Sequence, residues 1–311
     1  MSDSASAPQG IATVLRWARS EGLVADAVAE RRLLSMRLEV LAGRALPRAG
    51  AADVMLTAQW AVFVCWLDDH IDRQGLGSRP GELEGFTAPL RKVLEHDGKN
   101  SPTAPQAVVL RNLWRRTAPG MSDGWRARFA CAYNDFLDAS EQEVALRRNG
   151  VLLPLSKYVR LRRRTITLLP MIAVLERTGR APMVEGPGVE ARLRGLGGAL
   201  ADVAGWANDL ASHADDIAAG QDNLVAVVAR EDGCSTLCAR TRVTAMIEDR
   251  REGFRTAAAA LRSDYAVAAG DHNDAVGCYV DMVETFMAAT LHWLAVTGRF
   301  GRPCPPWPCS I

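Results

Sequence analysis

Two acidic clusters carry the chemistry that this sequence offers. The first is Asp68-Asp69-His70-Ile71-Asp72, and the second runs Asn208-Asp209-Leu210-Ala211-Ser212-His213-Ala214-Asp215-Asp216. Each lies in an Ala/Leu/Val-rich stretch without breakers, so each is predicted helical. On a helix Asp68, Asp69 and Asp72 share a face, because residues three and four apart are neighbours. Asn208, Ser212 and Asp216 repeat that spacing at i, i+4 and i+8. All offer hard oxygens, which suit Mg²⁺ or Mn²⁺ and not a thiolate or imidazole metal. Two such faces around one cavity would hold several cations. Several cations imply a polyanionic ligand, and a diphosphate is the natural candidate.

The blander readings carry unequal weight. A lone DDxxD is more often a solvated helix face. This one directly follows the apolar run 60–67, which reads as buried, and unpaired charge beside a buried run is costly. The second cluster fixes four positions and arises less readily by accident. Asn134-Asp135-Phe136-Leu137-Asp138 lacks the Ser and final acid at that spacing and reads as ordinary helix surface. With 34 arginines against three lysines, no single arginine match carries much.

Four segments together make the chain resemble a bacterial class I terpene synthase. Asp68-Asp69-xx-Asp72 matches the family's aspartate-rich motif, and Asn208-Asp209-xx-Ser212-xxx-Asp216 matches its second metal motif, with Asp where Glu is more usual. Arg299-Phe300 matches a C-terminal Arg-Tyr pair, and Arg162-Arg163-Arg164-Thr165 resembles the segment carrying a diphosphate-sensing arginine. The match spans roughly residues 50–300 in order and approximate spacing.

The resemblance implies an all-α, single-domain helical bundle around a deep apolar cavity, over residues 1–300, with a Pro-rich tail at 301–311. It implies metal ligation by Asp68, Asp69, Asp72, Asn208, Ser212 and Asp216, with about three Mg²⁺ per site and Mn²⁺ as an alternative. Arg163 is the expected sensor, ahead of Arg162 and Arg164, and Arg299 the second diphosphate donor. Expected hydrocarbon-side residues are Phe63, Val64, Cys65, Ile166, Thr167, Trp206, Trp293 and Phe300. Three departures bear on efficiency: Asp215 stands where Lys is usual, Phe300 lacks a phenol hydroxyl, and Thr167 stands where Gly is common.

The implied reaction is ionisation of a linear prenyl diphosphate and cyclisation of the carbocation to a hydrocarbon or alcohol. Family frequency puts C15 farnesyl diphosphate slightly ahead. The small Val64 and Cys65, with 6% aromatics overall, tilt toward a C20 diphosphate such as geranylgeranyl diphosphate. A chain-elongating prenyltransferase would carry two DDxxD motifs. A non-catalytic isoprenoid-binding protein is the third reading.

The composition fits. The 311 residues can bury a large core, and a net charge of +1 gives no reason to expect a nucleic-acid partner. No run is expected to reach membrane-span length, and MSDSASAPQG lacks a signal-peptide layout. Seven cysteines, at 65, 131, 234, 238, 278, 304 and 309, favour a reducing cytoplasm; Cys234-xxx-Cys238 reads as two thiols and not a zinc site. A homodimer is compatible with all of this.

The elements that must position these residues read as helix after helix. Segment 11–42 is predicted as one or two helices stopped by Gly43, 51–71 as a long apolar helix, and 75–85 as a turn region. Helices follow at 86–95, 105–117, 123–148 with Ser122 as cap, 155–178, 189–219, 223–230, 234–262 and 274–297.

Overall fold

The computed structural model describes residues 6–73, 76, 81–99, 102–186, 188–266 and 271–300, with side chains left out at 6–9, 72–73, 266 and 271–274. Among the described residues all regular structure is helical. The order is α1 Ser6–Ser20, α2 Ala27–Met36, α3 Leu38–Ala45, α4 Ala51–Arg73, α5 Glu82–Glu95, α6 Pro105–Thr117, α7 Asp123–Arg148, α8 Leu155–Thr165, α9 Leu168–Thr178, α10 Val189–Ala218, α11 Leu224–Asp232, α12 Thr236–Ala266 and α13 Asp271–Val296.

Local chemistry starts several of these helices. Asp26 accepts the N–H groups of Val28 and Ala29, Ser122 accepts from Trp125, and Asn223 accepts from Val225, each satisfying donors that a helix start leaves unpaired. Pro105 opens α6, where its missing N–H costs nothing.

Packing then builds a bundle around one long core. Helix α4 lies against α1, α3, α6 and α9, and α10 lies against α8, α9, α12 and α13. Trp60, Phe63 and Leu67 of α4 are fully buried, as are Leu193, Leu200 and Val203 of α10. Burying one such side chain contributes on the order of 1.5–3 kcal/mol. An aromatic cluster of Trp60, Trp114, Trp125, Phe129 and Tyr133 locks α4, α6 and α7 together.

Several expectations need correction. Segment 11–42 carries parts of three helices and not one or two, with breaks between Ser20 and Ala27 and at Arg37, which adopts a left-handed φ of 54°, and Gly43 does not stop a helix, because α3 continues to Ala45. The predicted helix 155–178 is two helices, split where Thr167 takes a left-handed φ of 63°. No Gly or Pro marks either break in this chain; only the resemblance, with Gly common at the Thr167 position, pointed to the second. Helix α5 begins at Glu82, inside the expected turn region. Ala51–Ile71 is, contrary to expectation, long and apolar enough to cross a membrane, yet about half of it is buried inside the fold, as a core helix would be. The expected tail at 301–311, with Cys304 and Cys309, lies outside the described residues.

Candidate active site

A cavity of about 710 Å³ opens between α2, α3, α4, α7, α8, α9, α10 and α13. Its walls divide by chemistry. Leu38, Ala61, Met171, Ala204, Phe286 and Leu294 give apolar surface, while Asp68, Asp69, Asn208, Ser212, Asp216, Arg162 and Arg299 give polar surface. The helical spacing explains the lining. On α4, Ala61, Val64, Cys65, Asp68 and Asp69 fall on one stripe; on α10, Ala204, Asn208, Ser212 and Asp216 do the same.

The first acidic motif is bracketed by two arginines. Arg32 donates to Asp69 through Nε at 2.8 Å and Nη2 at 2.7 Å. Arg299 Nη2 donates to Asp68 at 2.6 Å and to Asp69 at 3.2 Å. Burial works against the Arg299 charge, but neighbouring Cys65, Asp68 and Asp69 outweigh it and hold the guanidinium above its ordinary pKa. Burial pushes the Cys65 thiol up to about 11, with Asp68 and Asp69 adding to the rise and Arg299 opposing it. The side chain of Asp72 lies outside the described residues.

The second motif is tied into α8 and α11. Ser212 donates to Asp216 Oδ2 at 2.6 Å, and Asn223 donates to the same oxygen at 2.7 Å. Burial raises the Asp216 pKa, and these two donors counter part of the rise. Asp209 is 1% exposed and accepts from Tyr158 at 2.7 Å, Arg162 Nε at 2.8 Å and the Leu224 N–H at 3.1 Å. Arg162 also donates to Asn208 Oδ1 at 2.9 Å. Burial opposes the Arg162 charge, but Asp209 outweighs it and raises the pKa.

The donors fit a hard divalent cation. Asn208, Ser212 and Asp216 present an amide oxygen, a hydroxyl and a carboxylate into one cavity. Among the described residues no group of three His, Cys, Asp or Glu side chains is gathered for a metal. Two of the three expected donors on α10 are neutral oxygens, which accounts for part of that.

Three expected site residues sit elsewhere. Arg163 faces away from the cavity and forks onto Asp202, at 2.7 and 2.8 Å, an acid also held by Arg250. Arg162 takes the place assigned to Arg163, because it lies four residues after the buried Tyr158 and shares its face. Phe63 is fully buried and stacks on Trp66, away from the lining stripe. Trp206 is buried outside the cavity, and its Nε1 has no hydrogen-bond partner among the described residues. Phe63 and Trp206 each lie about half a helical turn from the stripe residues Cys65 and Asn208. Val64, Cys65, Ile166, Thr167, Trp293 and Phe300 do line the cavity. Asn134 is half-buried, its Oδ1 without a partner among the described residues, while Asp135 and Asp138 of the same look-alike segment pair with Arg164 and Arg91 at the surface.

Sequence reasoning missed Arg32, Tyr158, Phe286 and Asn223. Tyr158 was within reach, four residues before Arg162, and Phe286 lies seven before Trp293. Nothing in the sequence linked Arg32 to Asp69.

An all-α bundle whose cavity has two hard-oxygen motifs and buried guanidinium groups at its wall has the class I terpene synthase architecture. The family described as terpene synthase family 2, C-terminal metal binding, matches residues 59–252, well over half of the chain. Pristinol synthase of Streptomyces pristinaespiralis is 30% identical over 295 residues, covering 92% of this chain and 78% of its own length. The 7-epi-alpha-eudesmol synthase of Streptomyces viridochromogenes is 27% identical, covering 92% and 85%. The solved linalool/nerolidol synthase of Streptomyces clavuligerus, in complex with 2-fluorogeranyl diphosphate, superimposes with a TM-score of 0.83 at 26% identity, covering 92% of this chain and 98% of that one. The chain belongs to the terpene synthase family. It is a divalent-metal-dependent lyase that acts on a prenyl diphosphate and releases pyrophosphate.

Proposed function

We propose that the chain, as a single catalytic domain over 1–300, ionises farnesyl diphosphate and cyclises the carbocation to a C15 hydrocarbon or alcohol. The carrying observation is one cavity whose apolar wall carries both acidic motifs, Arg162 and Arg299. Mg²⁺, about three ions held by Asp68 with Asp72 on one side and by Asn208, Ser212 and Asp216 on the other, would neutralise the departing pyrophosphate.

The chain's own groups supply the rest. Arg162 and Arg299 present planar forks to phosphate oxygens. Asp209 holds Arg162 in place through a buried ion pair. Asp69 accepts three hydrogen bonds from two arginines, which makes it a holder of guanidinium groups more than a metal ligand. Trp293 anchors its Nε1 on the Met36 carbonyl at 2.5 Å, so its indole is fixed where it lines the cavity. Its face, with the Phe286 ring, stabilises a passing cation. Cys65, with its pKa pushed to about 11, stays a thiol at neutral pH and offers no thiolate to trap that cation.

Chain length is supported by relatives. The 7-epi-alpha-eudesmol and (-)-beta-caryophyllene synthases are named as cyclising farnesyl diphosphate. A shorter C10 substrate is favoured by one observation, the 2-fluorogeranyl diphosphate bound to the S. clavuligerus enzyme. Competing C10, C15 and C20 diphosphates, with Mg²⁺ and mass spectrometry of hexane extracts, should give the highest kcat/KM for C15. A tenfold preference for C10 or C20, or a longer diphosphate as product, would overturn the assignment.

A further inference from the structure

We propose that Arg32 of α2 is an additional diphosphate-binding residue of this chain. This rests on the functional reading above and extends it to a helix outside the four matched motifs. Arg32 lines the cavity beside Asp69. Its contact with Asp69 is side-on, using Nε and Nη2. A guanidinium carries five N–H donors in a fixed fork. The side-on pairing therefore leaves Nη1 uncommitted, and it makes no hydrogen bond among the described residues. Arg32 can keep Asp69 and still offer N–H groups to a phosphate.

A second observation fixes where those donors sit. The α2–α3 break is tied to the end of α13. Trp293 Nε1 and Thr297 Oγ1 both donate to the Met36 carbonyl, at 2.5 and 3.0 Å. The Gly298 N–H donates to the Ser35 carbonyl at 2.8 Å. Gly298 approaches so closely that a Cβ there would lie 3.2 Å from both the Cβ and the carbonyl oxygen of Ser35. Arg32 is one turn before Met36, and Arg299 directly follows Gly298. The two arginines are thus braced as one unit and converge on Asp69. Two fixed forks at one carboxylate form a clamp suited to a polyphosphate.

Calorimetric titration of inorganic pyrophosphate with Mg²⁺ into the full chain tests this without turnover. R32Q should weaken binding about tenfold to a hundredfold, the worth of a lost charge-assisted hydrogen bond. R31Q, a neighbouring exposed charge on the same helix, should bind as wild type. R32K should recover only part of the loss, because an ammonium lacks the fork. Circular dichroism confirms that the variants are folded. If Arg32 acts directly on pyrophosphate, R32Q still weakens binding when added to D69N. Identical binding by D69N and R32Q/D69N would overturn the proposal and leave Arg32 a positioning residue for Asp69. Unchanged binding by R32Q would also overturn it. Failure of wild type to bind pyrophosphate with Mg²⁺ would instead defeat the functional reading beneath it.

Discussion

Replacing Asp209 with asparagine tests the most buried electrostatic contact of the site. The carboxylate is 2% exposed, and its partner Arg162 retains 15%. Asp209→Asn keeps the shape but removes the charge that compensates Arg162. It also turns one oxygen, now facing Tyr158, the Leu224 N–H or Arg162, into a donor. Breaking a buried pair by removing one partner costs about 3–5 kcal/mol. The residual exposure of Arg162 places this case near the lower end, about 3 kcal/mol. For a chain of this length that corresponds to roughly 5 °C in melting temperature. Urea unfolding followed by circular dichroism reads the difference as a lower midpoint at unchanged slope. Adding R162M should recover part of the loss, because no uncompensated charge then remains. A D209N midpoint within error of wild type, or a double variant less stable than the sum of the singles, would refute the pairing as the source of stability.

Three further outcomes follow from the placement of side chains. R162Q should lower kcat by ~10²–10³, the scale of one lost electrostatic donor, whereas R163Q should lower stability through Asp202 and leave kcat nearly unchanged; steady-state kinetics and urea midpoints separate the two. Trp293→Ala should change the product mixture seen by gas chromatography, while Phe63→Ala and Trp206→Ala should each cost about 3–5 kcal/mol of stability with the mixture retained. The raised Cys65 pKa means that its thiolate is scarce below about 11 and grows as pH rises, so mass-mapped alkylation at pH 8 should label exposed Cys131, Cys238 and Cys278 first and reach Cys65 only as the solution becomes strongly alkaline.

The sequence made the fold class and both motifs legible because they rest on local, periodic signals. Helix α6 was bounded correctly at both ends by Pro105 and the end of its apolar repeat, and α7 by its Ser122 cap. What failed was rotational phase. Three consecutive arginines on α8 point about 100° apart, so only one can enter the cavity, and the buried positions Tyr158, Leu161 and Thr165 decide which. The same phase argument removes Phe63 and Trp206 from the cavity while keeping Cys65 and Asn208. The left-handed turn at Arg37 had no local signal, since the residue does not favour that conformation, and the one at Thr167 was signalled only by the resemblance, which puts Gly at that position. Arg32 meets Asp69 across 37 positions of sequence through tertiary packing, which no local pattern encodes.

Joint action of the two acidic motifs releases pyrophosphate from a prenyl diphosphate and leaves a cyclised hydrocarbon chain. Its most direct test is a paired measurement with farnesyl diphosphate and Mg²⁺: pyrophosphate by coupled assay, and hexane-extractable C15 product by gas chromatography. Equal amounts of both are expected in wild type, with loss of both in EDTA and a fall of ~10²–10³ in both for D68A and for N208A. Pyrophosphate release that persists in EDTA, or that survives either substitution undiminished, would contradict it.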